Sequence, residues 1–265
     1  MLKAFIKELS VKGEKVLLSG IEFELKKNCI HTVLGLNGSG KTTLIKSLTG
    51  LLNPQFYSVS GNVFFEGKDI LKFNTNELLL LRRDKIKYVF QDAVNSFNHL
   101  KTFGYYFDRL AKDKQEINIL LSYFILPKYT ELYKLFPYEV SGGMAQRISF
   151  ILALLAHPEI IILDEPTSGI DPAISNLVLL KLKEFTIQEK HSILLVTHDV
   201  NFAEKISDEI AFLSGSRLSM FYPKKELFSP PEISTVDNEK GKQRRIDNSE
   251  FLLRKFIDSY KKLSL

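Results

Sequence analysis

The segment Gly35–Thr42, with the letters GLNGSGKT, carries residue types that bind phosphate. Glycines let consecutive backbone N–H groups face a phosphate, a lysine reaches the β- and γ-phosphates, and a Ser or Thr hydroxyl meets Mg²⁺. The apolar run Ile30–Leu34 predicts a buried parallel strand before this loop, and Thr43–Leu52 predicts a helix that starts at Lys41. This context favours a nucleotide site over a chance match of a glycine-rich turn.

The carboxylates Asp164 and Glu165 follow a second apolar run, Ile160–Leu163. Such a run predicts a strand buried on both faces, and open α/β sheets place their ligand chemistry at the carboxyl ends of the strands. Asp164 is then placed to hold Mg²⁺ through its water shell, and Glu165 can polarise an attacking water. An isolated acidic pair is often only solvated, but a pair that follows a phosphate loop favours the functional interpretation.

Two further features could bind an anion. The tripeptide Ser141–Gly143 precedes a predicted helix over Met144–Ala156, so its hydroxyl and N–H groups could face an anion at a helix N-terminus. The tripeptide alone would equally suit a simple helix cap. His198 follows an apolar run at Ile193–Val196. A lone histidine is more often a satisfied surface or core residue, but this strand-end position favours a catalytic role.

The elements that must position these residues follow an α/β pattern. Further predicted strands are Val63–Phe65, Ile86–Phe90, Ile193–Val196 and Ile210–Leu213. Predicted helices between them are Thr75–Arg82, Pro172–Glu189 and Asn201–Ile206. Between Gln91 and Ser141 apolar residues at helical spacing replace the strand pattern, which predicts an inserted helical subdomain over about 92–156. The polar stretch Pro223–Asn248 predicts a loose linker, and Phe251–Tyr260 predicts a short amphipathic helix docked on the body.

Composition restricts the class of protein. The chain has 265 residues, of which 45% are hydrophobic and 25% charged, enough to bury a full core. Its longest apolar stretch, around Ile148–Ala156, is well short of the ~18 residues that cross a bilayer. The single Cys29 excludes an internal disulfide or a cluster held by several cysteines, which suits reducing cytosol. The net charge of +5 is modest, and without a basic stripe interleaved with aromatics we expect no nucleic acid partner.

Taken together, the motifs resemble the ATP-binding subunits of ABC transporters over Met1 to about Leu227. The most specific of these motifs is Ser141–Arg147, called the signature below, because other P-loop enzymes lack it. The segment Val89–Asn98 is similar to that of dipeptide, oligopeptide and nickel importers, and Met144 with Ala153–Ala156 is similar to the D-type member of their two unequal ATPases. The matching motifs, in chain order, are the phosphate loop, Gln91 after the strand ending at Phe90, the signature Ser141–Arg147, Asp164-Glu165, Ser168–Asp171, and His198.

This resemblance implies an α/β fold: a P-loop (RecA-like) nucleotide-binding core with an antiparallel N-terminal β subdomain and an inserted α-helical subdomain. The ABC ATP-binding domain would span residues 1–227, with the helical subdomain at about 92–156. Residues 228–265 would form the C-terminal linker and the short amphipathic helix.

The resemblance also implies roles for the site residues. Glu165 would be the general base, His198 would clamp the γ-phosphate, and Gln91 would contact the metal and the attacking water and report occupancy to a membrane partner. Mg²⁺ would be held by Thr42, Gln91 and Asp164. The residues implied to bind ATP are Gly35, Asn37, Gly38, Ser39, Gly40, Lys41, Thr42, Thr43, Ser141, Gly142 and Gly143.

The implied function is ATP hydrolysis that powers uptake of peptides or nickel and other metal complexes. The implied partners are a second ABC ATPase subunit in a head-to-tail heterodimer or homodimer, two membrane permease subunits and, indirectly, an extracytoplasmic solute-binding protein. The chain would then lie peripherally on the cytoplasmic face of the membrane. Alternatives are another type of ABC transporter ATPase and a soluble ABC ATPase acting on DNA or ribosomes. The short insert and single cassette argue against the latter, and the presence of both Glu165 and His198 argues against a regulator without turnover.

One departure from the family concerns the base. Family members commonly stack adenine on an aromatic residue of the N-terminal strand, but the aligned stretch Ser10–Gly13 has no ring. We expect adenine to lie against Val11, the Lys12 stem or Leu18, with weak discrimination between bases. Val140 stands where leucine usually begins the signature, a small apolar exchange of little expected effect.

Overall fold

The computed structural model of the chain describes residues 1–110, 113–187, 190–228 and 253–258. Its strands are β1 (Leu2–Val11), β2 (Val16–Glu24), β3 (Cys29–Leu34), β4 (Tyr57–Phe65), β5 (Lys68–Asp69), β6 (Ile86–Val89), β7 (Ile160–Asp164), β8 (Ser192–Thr197), β9 (Glu209–Ser214), β10 (Arg217–Leu218) and β11 (Tyr222–Pro223). Its α-helices are α1 (Lys41–Ser47), α2 (Thr75–Asp84), α3 (Ala93–Ser96), α4 (Phe103–Leu110), α5 (Lys114–Tyr123), α6 (Tyr129–Leu132), α7 (Gly142–Leu155), α8 (Pro172–Ile187), α9 (Val200–Ile206), α10 (Lys224–Phe228) and α11 (253–258).

The N-terminal part of the chain forms a four-stranded antiparallel sheet in the order β2-β1-β4-β5. Strand β1 alternates buried apolar residues with exposed ones, and Leu2, Ala4 and Ile6 point to the core. This period of two is what a strand with one covered face requires. The predicted antiparallel N-terminal subdomain is confirmed.

The second sheet is the core of the nucleotide-binding lobe, in the order β10-β9-β3-β8-β7-β6, with β11 also paired to β9. The five neighbouring strands β9, β3, β8, β7 and β6 run parallel to one another. The carboxyl ends of β3, β7 and β8 therefore meet at one edge of the sheet. Every residue of β3, β7 and β8 is buried, as expected for parallel strands covered on both faces. The predicted α/β core is confirmed.

Helices α3 to α7 form the predicted helical insertion between β6 and β7. Its interior is aromatic, with Phe103, Phe107, Phe124 and Phe150 almost fully buried. Apolar residues of α7 belong to the same hydrophobic cluster as residues of β7 and β8. Helix α7 therefore joins the insertion to the nucleotide-binding sheet.

The structure changes some of the predicted boundaries. Helix α1 ends at Ser47 rather than Leu52, because Gly50 adopts a positive φ of 62° and Arg82 binds the carbonyl oxygens of Thr49 and Gly50. Strand β4 is longer than predicted, since it pairs with β1 along its length. The last predicted residues of α8, 188 and 189, lie outside the described residues.

The start of the expected linker is instead regular structure. Pro223 pairs with Glu209 of β9, and residues 224–228 form α10. Residues 229–252 lie outside the described part of the chain. In α11, Leu253 and Ile257 are buried and pack in one cluster with Leu34 and Phe212, at the end of β3 that leads to the phosphate loop.

None of the helices in the described ranges combines the length and apolar character needed to cross a lipid bilayer.

Candidate functional site

The phosphate loop connects β3 to α1 and depends on its glycines. Gly40 has φ of 100°, a region that side chains disfavour, and a Cβ there would lie 3.1 Å from Leu18 Cδ2. A Cβ on Gly35 would lie only 2.8 Å from both the Leu213 carbonyl oxygen and Ser39 Oγ. The loop is thus packed closely between the N-terminal sheet and β9, and any larger residue at position 35 would displace its backbone.

Lys41 lies at the centre of the site. Its side chain is 6% exposed, and its ammonium donates to the carbonyl oxygens of Gly35 at 2.9 Å and Leu36 at 3.1 Å. The same Nζ lies 3.2 Å from Glu165 Oε1. A buried ammonium needs such anionic and carbonyl partners, because desolvation alone would be costly. The phosphate loop and the end of β7 are therefore joined by one cation.

Glu165 follows β7 with a positive φ of 46°, which is unusual for a residue with a side chain. Its Oε2 accepts hydrogen bonds from Thr197 Oγ1 at 2.9 Å and from the His198 N–H at 3.2 Å, and it lies 3.0 Å from His198 Nδ1. Its Oε1 is buried and has the ion pair with Lys41 but no partner in hydrogen-bond geometry among the described residues. One oxygen of this carboxylate is thus held in place, and the other can still accept a proton.

Asp164 is the last residue of β7 and is 2% exposed. Thr42 Oγ1 donates to its Oδ1 at 3.0 Å and Tyr88 OH donates to its Oδ2 at 3.2 Å. Burial raises the pKa of Asp164, since these two hydrogen bonds only partly offset desolvation. Burial likewise raises the pKa of the Tyr88 phenol, so that hydroxyl remains a donor.

This environment fits a magnesium ion. Asp164 forms no ion pair within 4 Å with any described lysine, arginine or histidine, so no described cation contacts its buried carboxylate. The hydroxyl of Thr42 and the carboxylate of Asp164 are the hard oxygen ligands that Mg²⁺ prefers. The residues present are therefore suited to hold this ion next to a phosphate.

The structure brings together five predicted residues: Lys41, Thr42, Asp164, Glu165 and His198. The remaining loop residues Gly35, Asn37, Gly38, Ser39 and Gly40 are continuous with them, and Thr43 is half-buried in α1. Ser39 Oγ is buried without a hydrogen-bond partner in the described structure.

Gln91 lies apart from this cluster. It is exposed beyond the end of β6, and no hydrogen bond of its side chain to a described residue is present. Two residues that the sequence analysis missed are part of the site: Tyr88 binds Asp164 and Thr197 binds Glu165. Tyr88 lies three positions before Gln91, and Thr197 lies directly before His198, each near the end of a strand. Their closeness to these predicted site residues is the signal by which they could have been found.

The signature is a separate, exposed surface. Ser141 Oγ accepts a hydrogen bond from the Met144 N–H at 3.2 Å and so caps α7. Arg147 donates to the carbonyl oxygens of Gly143, Phe124 and Ile125. These bonds connect the start of α7 to the residues that directly follow α5. Within the described ranges, no hydrogen bond or ion pair links Ser141–Gly143 to Lys41, Asp164 or Glu165.

The residues near Ser10–Gly13, where adenine is expected to lie, differ in exposure from the sequence-based expectation. Leu18 is fully buried beneath Gly40, so the expectation that it could lie against the base is wrong. Lys12 is exposed, and its N–H donates to the carbonyl oxygen of Phe56 at 2.9 Å. The side chain of Phe56 is 62% exposed. The aromatic residue absent from Ser10–Gly13 is therefore present in the turn directly before β4, the strand that pairs with β1.

Comparison with known proteins gives a consistent result. The family profile described as ABC transporter matches residues 18–168, which include the phosphate loop, the signature and the acidic pair. The dipeptide transport ATP-binding protein DppD of Bacillus subtilis (strain 168) is 29% identical over 248 residues, covering 89% of this chain and 73% of that protein. The methionine import ATP-binding protein MetN 1 of Bacillus licheniformis is 33% identical over 232 residues, covering 84% of this chain and 67% of that protein. The dimeric structure of a bacterial ABC transporter cassette is similar in fold, with a TM-score of 0.73, 24% identity, and coverage of 84% of this chain and 99% of that one.

Proposed function

This chain belongs to the ABC transporter family of ATP-binding proteins, and from that premise we propose that it is the ATPase subunit of an importer whose permeases are separate chains. The chain is an ATPase of the transport-coupled class. The observation that carries the proposal is the linked cluster Lys41–Glu165–His198, which lies beside Thr42–Asp164 at one edge of the sheet. Phosphoryl transfer needs positioned charges of this kind more than covalent chemistry.

Lys41 and the loop N–H groups would bind the phosphates. Lys41 Nζ already faces three oxygens, from Gly35, Leu36 and Glu165, and phosphate oxygens are equivalent partners for it. On phosphate binding, the ammonium would exchange some of these oxygens for the nucleotide. This exchange would release Glu165 from its ion pair where the reaction needs a base.

Glu165 Oε1 would accept the proton of the attacking water. Thr197 and the His198 N–H hold the other oxygen, which fixes the orientation of the carboxylate. A positioned general base of this kind typically contributes about 10²–10⁴-fold to the rate. The His198 side chain is 46% exposed, and its contact with Glu165 orients the ring at the open side of the site, where it would clamp the γ-phosphate.

Thr42 and Asp164 would hold Mg²⁺, with Gln91 as the third proposed contact. The ion would neutralise charge on the β- and γ-phosphate oxygens. Thr42 and Tyr88 already orient the Asp164 carboxylate. Gln91 would have to approach from its exposed position next to the helical insertion, which makes it suitable for reporting occupancy to a permease.

The exposed signature supports a head-to-tail dimer. Ser141–Gly143 would contact the nucleotide of a second ABC ATPase subunit, in a heterodimer or a homodimer. Two permease subunits would anchor the pair peripherally at the cytoplasmic face of the membrane, with an extracytoplasmic solute-binding protein acting through them. We propose an ATP-binding domain over residues 1–227, a tail over 228–265, and no nucleic acid partner. The proposed solutes are peptides and nickel or other metal complexes, and the methionine import relative makes an amino acid the second candidate.

Reconstitution in lipid vesicles tests the proposal. The chain would be combined with a companion ABC ATPase and two permease subunits from the same organism, and ATP hydrolysis and uptake of labelled dipeptide, methionine and Ni²⁺ would be measured together. We expect weak hydrolysis by the chain alone and at least about tenfold more in the assembly, because a site without its partner's signature lacks part of its transition-state contacts. Stimulation by DNA or ribosomes, with none by the permeases, would instead favour the soluble ABC ATPase.

A further inference from the structure

Three side chains with metal-binding atoms meet at the amino end of the core sheet, at the opposite end of β3 from the phosphate loop. Cys29 and His31 are two residues apart in β3, so they share one face of the sheet. Glu209 begins β9 and is paired with His31 in the parallel register. One potential ligand atom from each of the three lies within 4.8 Å of the other two.

Two members of the cluster are buried, Glu209 is partly buried, and one buried polar atom has no partner among the described residues. Cys29 is 7% exposed and His31 is fully buried. His31 Nε2 accepts from the Lys26 N–H at 3.2 Å and lies 3.5 Å from Glu209 Oε2, whereas His31 Nδ1 has no hydrogen-bond partner among the described residues. Two ligands of a tetrahedral zinc site at about 2.0–2.1 Å from the metal are about 3.4 Å apart. His31 Nε2 and Glu209 Oε2 are thus separated by about the distance between two such ligands, and a metal ion on Nε2 would replace the Lys26 N–H as the partner of its lone pair.

We propose that Cys29 Sγ, one ring nitrogen of His31 and the carboxylate of Glu209 bind a divalent transition-metal ion of the Zn²⁺ type. A thiolate, an imidazole and a carboxylate together suit Zn²⁺, Co²⁺ and Ni²⁺ and do not suit Mg²⁺ or Ca²⁺, which prefer oxygen ligands. With three protein ligands, the fourth position would be taken by water. This site is distinct from the nucleotide site, because β3 separates Cys29 from Gly35.

Lys26 acts as the competing cation in this cluster. Its ammonium forms an ion pair with Glu209, and its side chain is 65% exposed. A bound metal ion would displace this ammonium from the carboxylate. The thiol proton must also leave, because the thiolate is the form of cysteine that binds a metal ion.

The experiment is a titration of the full chain with Co²⁺ in the absence of nucleotide, followed by competition with Zn²⁺. Because the chain has one cysteine, a thiolate-to-cobalt charge-transfer band can arise only from Cys29. We expect the band to saturate at one Co²⁺ per chain, to disappear when Zn²⁺ is added and to be absent in Cys29→Ser. Glu209→Gln should weaken Co²⁺ binding by at least about tenfold, and Lys26→Gln should strengthen it.

A matched control is His157→Gln, because His157 lies 3.3 Å from Glu116 in an exposed pair elsewhere on the chain. This variant should keep the full band. Circular dichroism and thermal unfolding would establish that Cys29→Ser is folded, and Zn²⁺ should raise the unfolding midpoint of the wild type but not of this variant. The proposal is overturned if the wild type shows no band at one equivalent, or if Lys26→Gln binds Co²⁺ no better than the wild type. Neither result depends on ATP hydrolysis, so the importer assignment is tested separately.

Discussion

Lys41 and Ser141 each stand at the start of a helix, yet their surroundings differ greatly. Lys41 is buried and faces three oxygens, two from the phosphate loop and one from Glu165, which directly follows β7. Ser141 is exposed, and among the described residues its hydroxyl accepts a bond only from the helix that it caps. The phosphate loop is therefore built into the core of the chain, whereas the signature lies at its surface.

This difference separates two kinds of anion site. The first has its proposed catalytic groups on the same sheet edge, so we expect it to bind a nucleotide within one chain. The second offers a hydroxyl and two glycine N–H groups at the start of the 14-residue helix α7, with no general base attached to it. We therefore propose that another chain supplies the nucleotide for this surface. Substitutions on the two sides should consequently fail in different ways.

The largest effect is expected for Glu165→Gln. The amide preserves the shape of the side chain but cannot accept the proton of water, so hydrolysis in the assembled complex should fall by about 10²–10⁴-fold while ATP binding persists. Steady-state turnover and equilibrium ATP binding would be measured on the same preparation, where ATP-bound dimers should accumulate. Glu184→Gln, at an exposed helical ion pair with Lys181, is the matched control. Near-normal turnover by the Glu165 variant would show that another group is the base.

Ser141→Asp should impair hydrolysis at the nucleotide of the partner subunit rather than at the base of its own chain. Asp caps helices as well as Ser does, so α7 should remain intact, but a carboxylate would repel the phosphates of a partner's nucleotide. We expect the isolated variant to bind ATP normally and the assembled complex to lose about tenfold or more of its hydrolysis.

Two further results sharpen the interpretation of Ser141. Ser141→Ala should lower the free energy of unfolding by about 0.5–2 kcal/mol through loss of the cap. If the Asp variant is fully active in the assembly and the Ala variant is destabilised, then Ser141 is only a helix cap in this chain.

An intermediate effect is expected at the adenine side of the phosphate loop. Stacking of a base on a ring is worth about 1–3 kcal/mol, so Lys12→Tyr should tighten ATP binding by about 5- to 150-fold if residue 12 faces the base. If the exposed ring of Phe56 beside Lys12 already contacts adenine, then Phe56→Ala should weaken binding and Lys12→Tyr should add little. Titrations with ATP and GTP distinguish the two cases. Unchanged dissociation constants in both variants would place the base elsewhere.

Sequence reasoning succeeded for site residues that lie at or directly after the carboxyl end of a strand. Lys41, Asp164 and Glu165 could be placed together because the carboxyl ends of neighbouring parallel strands converge at one edge. It failed where packing between distant segments determines the end of a helix or the burial of a side chain. The length of α1 depends on Arg82, and the burial of Leu18 depends on the approach of β2 to the loop. No local pattern could indicate either contact.

The cluster at the other end of β3 illustrates the same limit. Cys29 and His31 are separated from Glu209 by a large part of the chain, and only the parallel pairing of β3 with β9 brings them together. The spacing of Cys29 and His31 is visible in the sequence, but two such residues in a buried strand are unremarkable without the third.

The smallest effect concerns the stability that the fold loses by burying the Asp164 carboxylate. Asp164 is buried next to Glu165, and burial raises its pKa, which means that its charged form is disfavoured in the folded chain. Asp164→Asn should therefore raise the unfolding midpoint measured without nucleotide, while it weakens Mg²⁺-dependent ATP hydrolysis. Asp84→Asn, which removes an exposed carboxylate paired with Arg83, should give no such rise.

The pH dependence of this difference tests its cause. Because the folded-state pKa of Asp164 lies above its unfolded value, the folded wild type binds more protons between the two values and gains stability as pH falls through that window. The Asn variant cannot gain in this way, so its advantage at neutral pH should shrink on acidification. Thermal unfolding of both proteins from neutral to acidic pH measures that convergence. A lower midpoint for the variant at neutral pH would mean that the hydrogen bonds from Thr42 and Tyr88 to the charged carboxylate outweigh its desolvation, and the phosphate side would then stabilise the fold as well as serve the reaction.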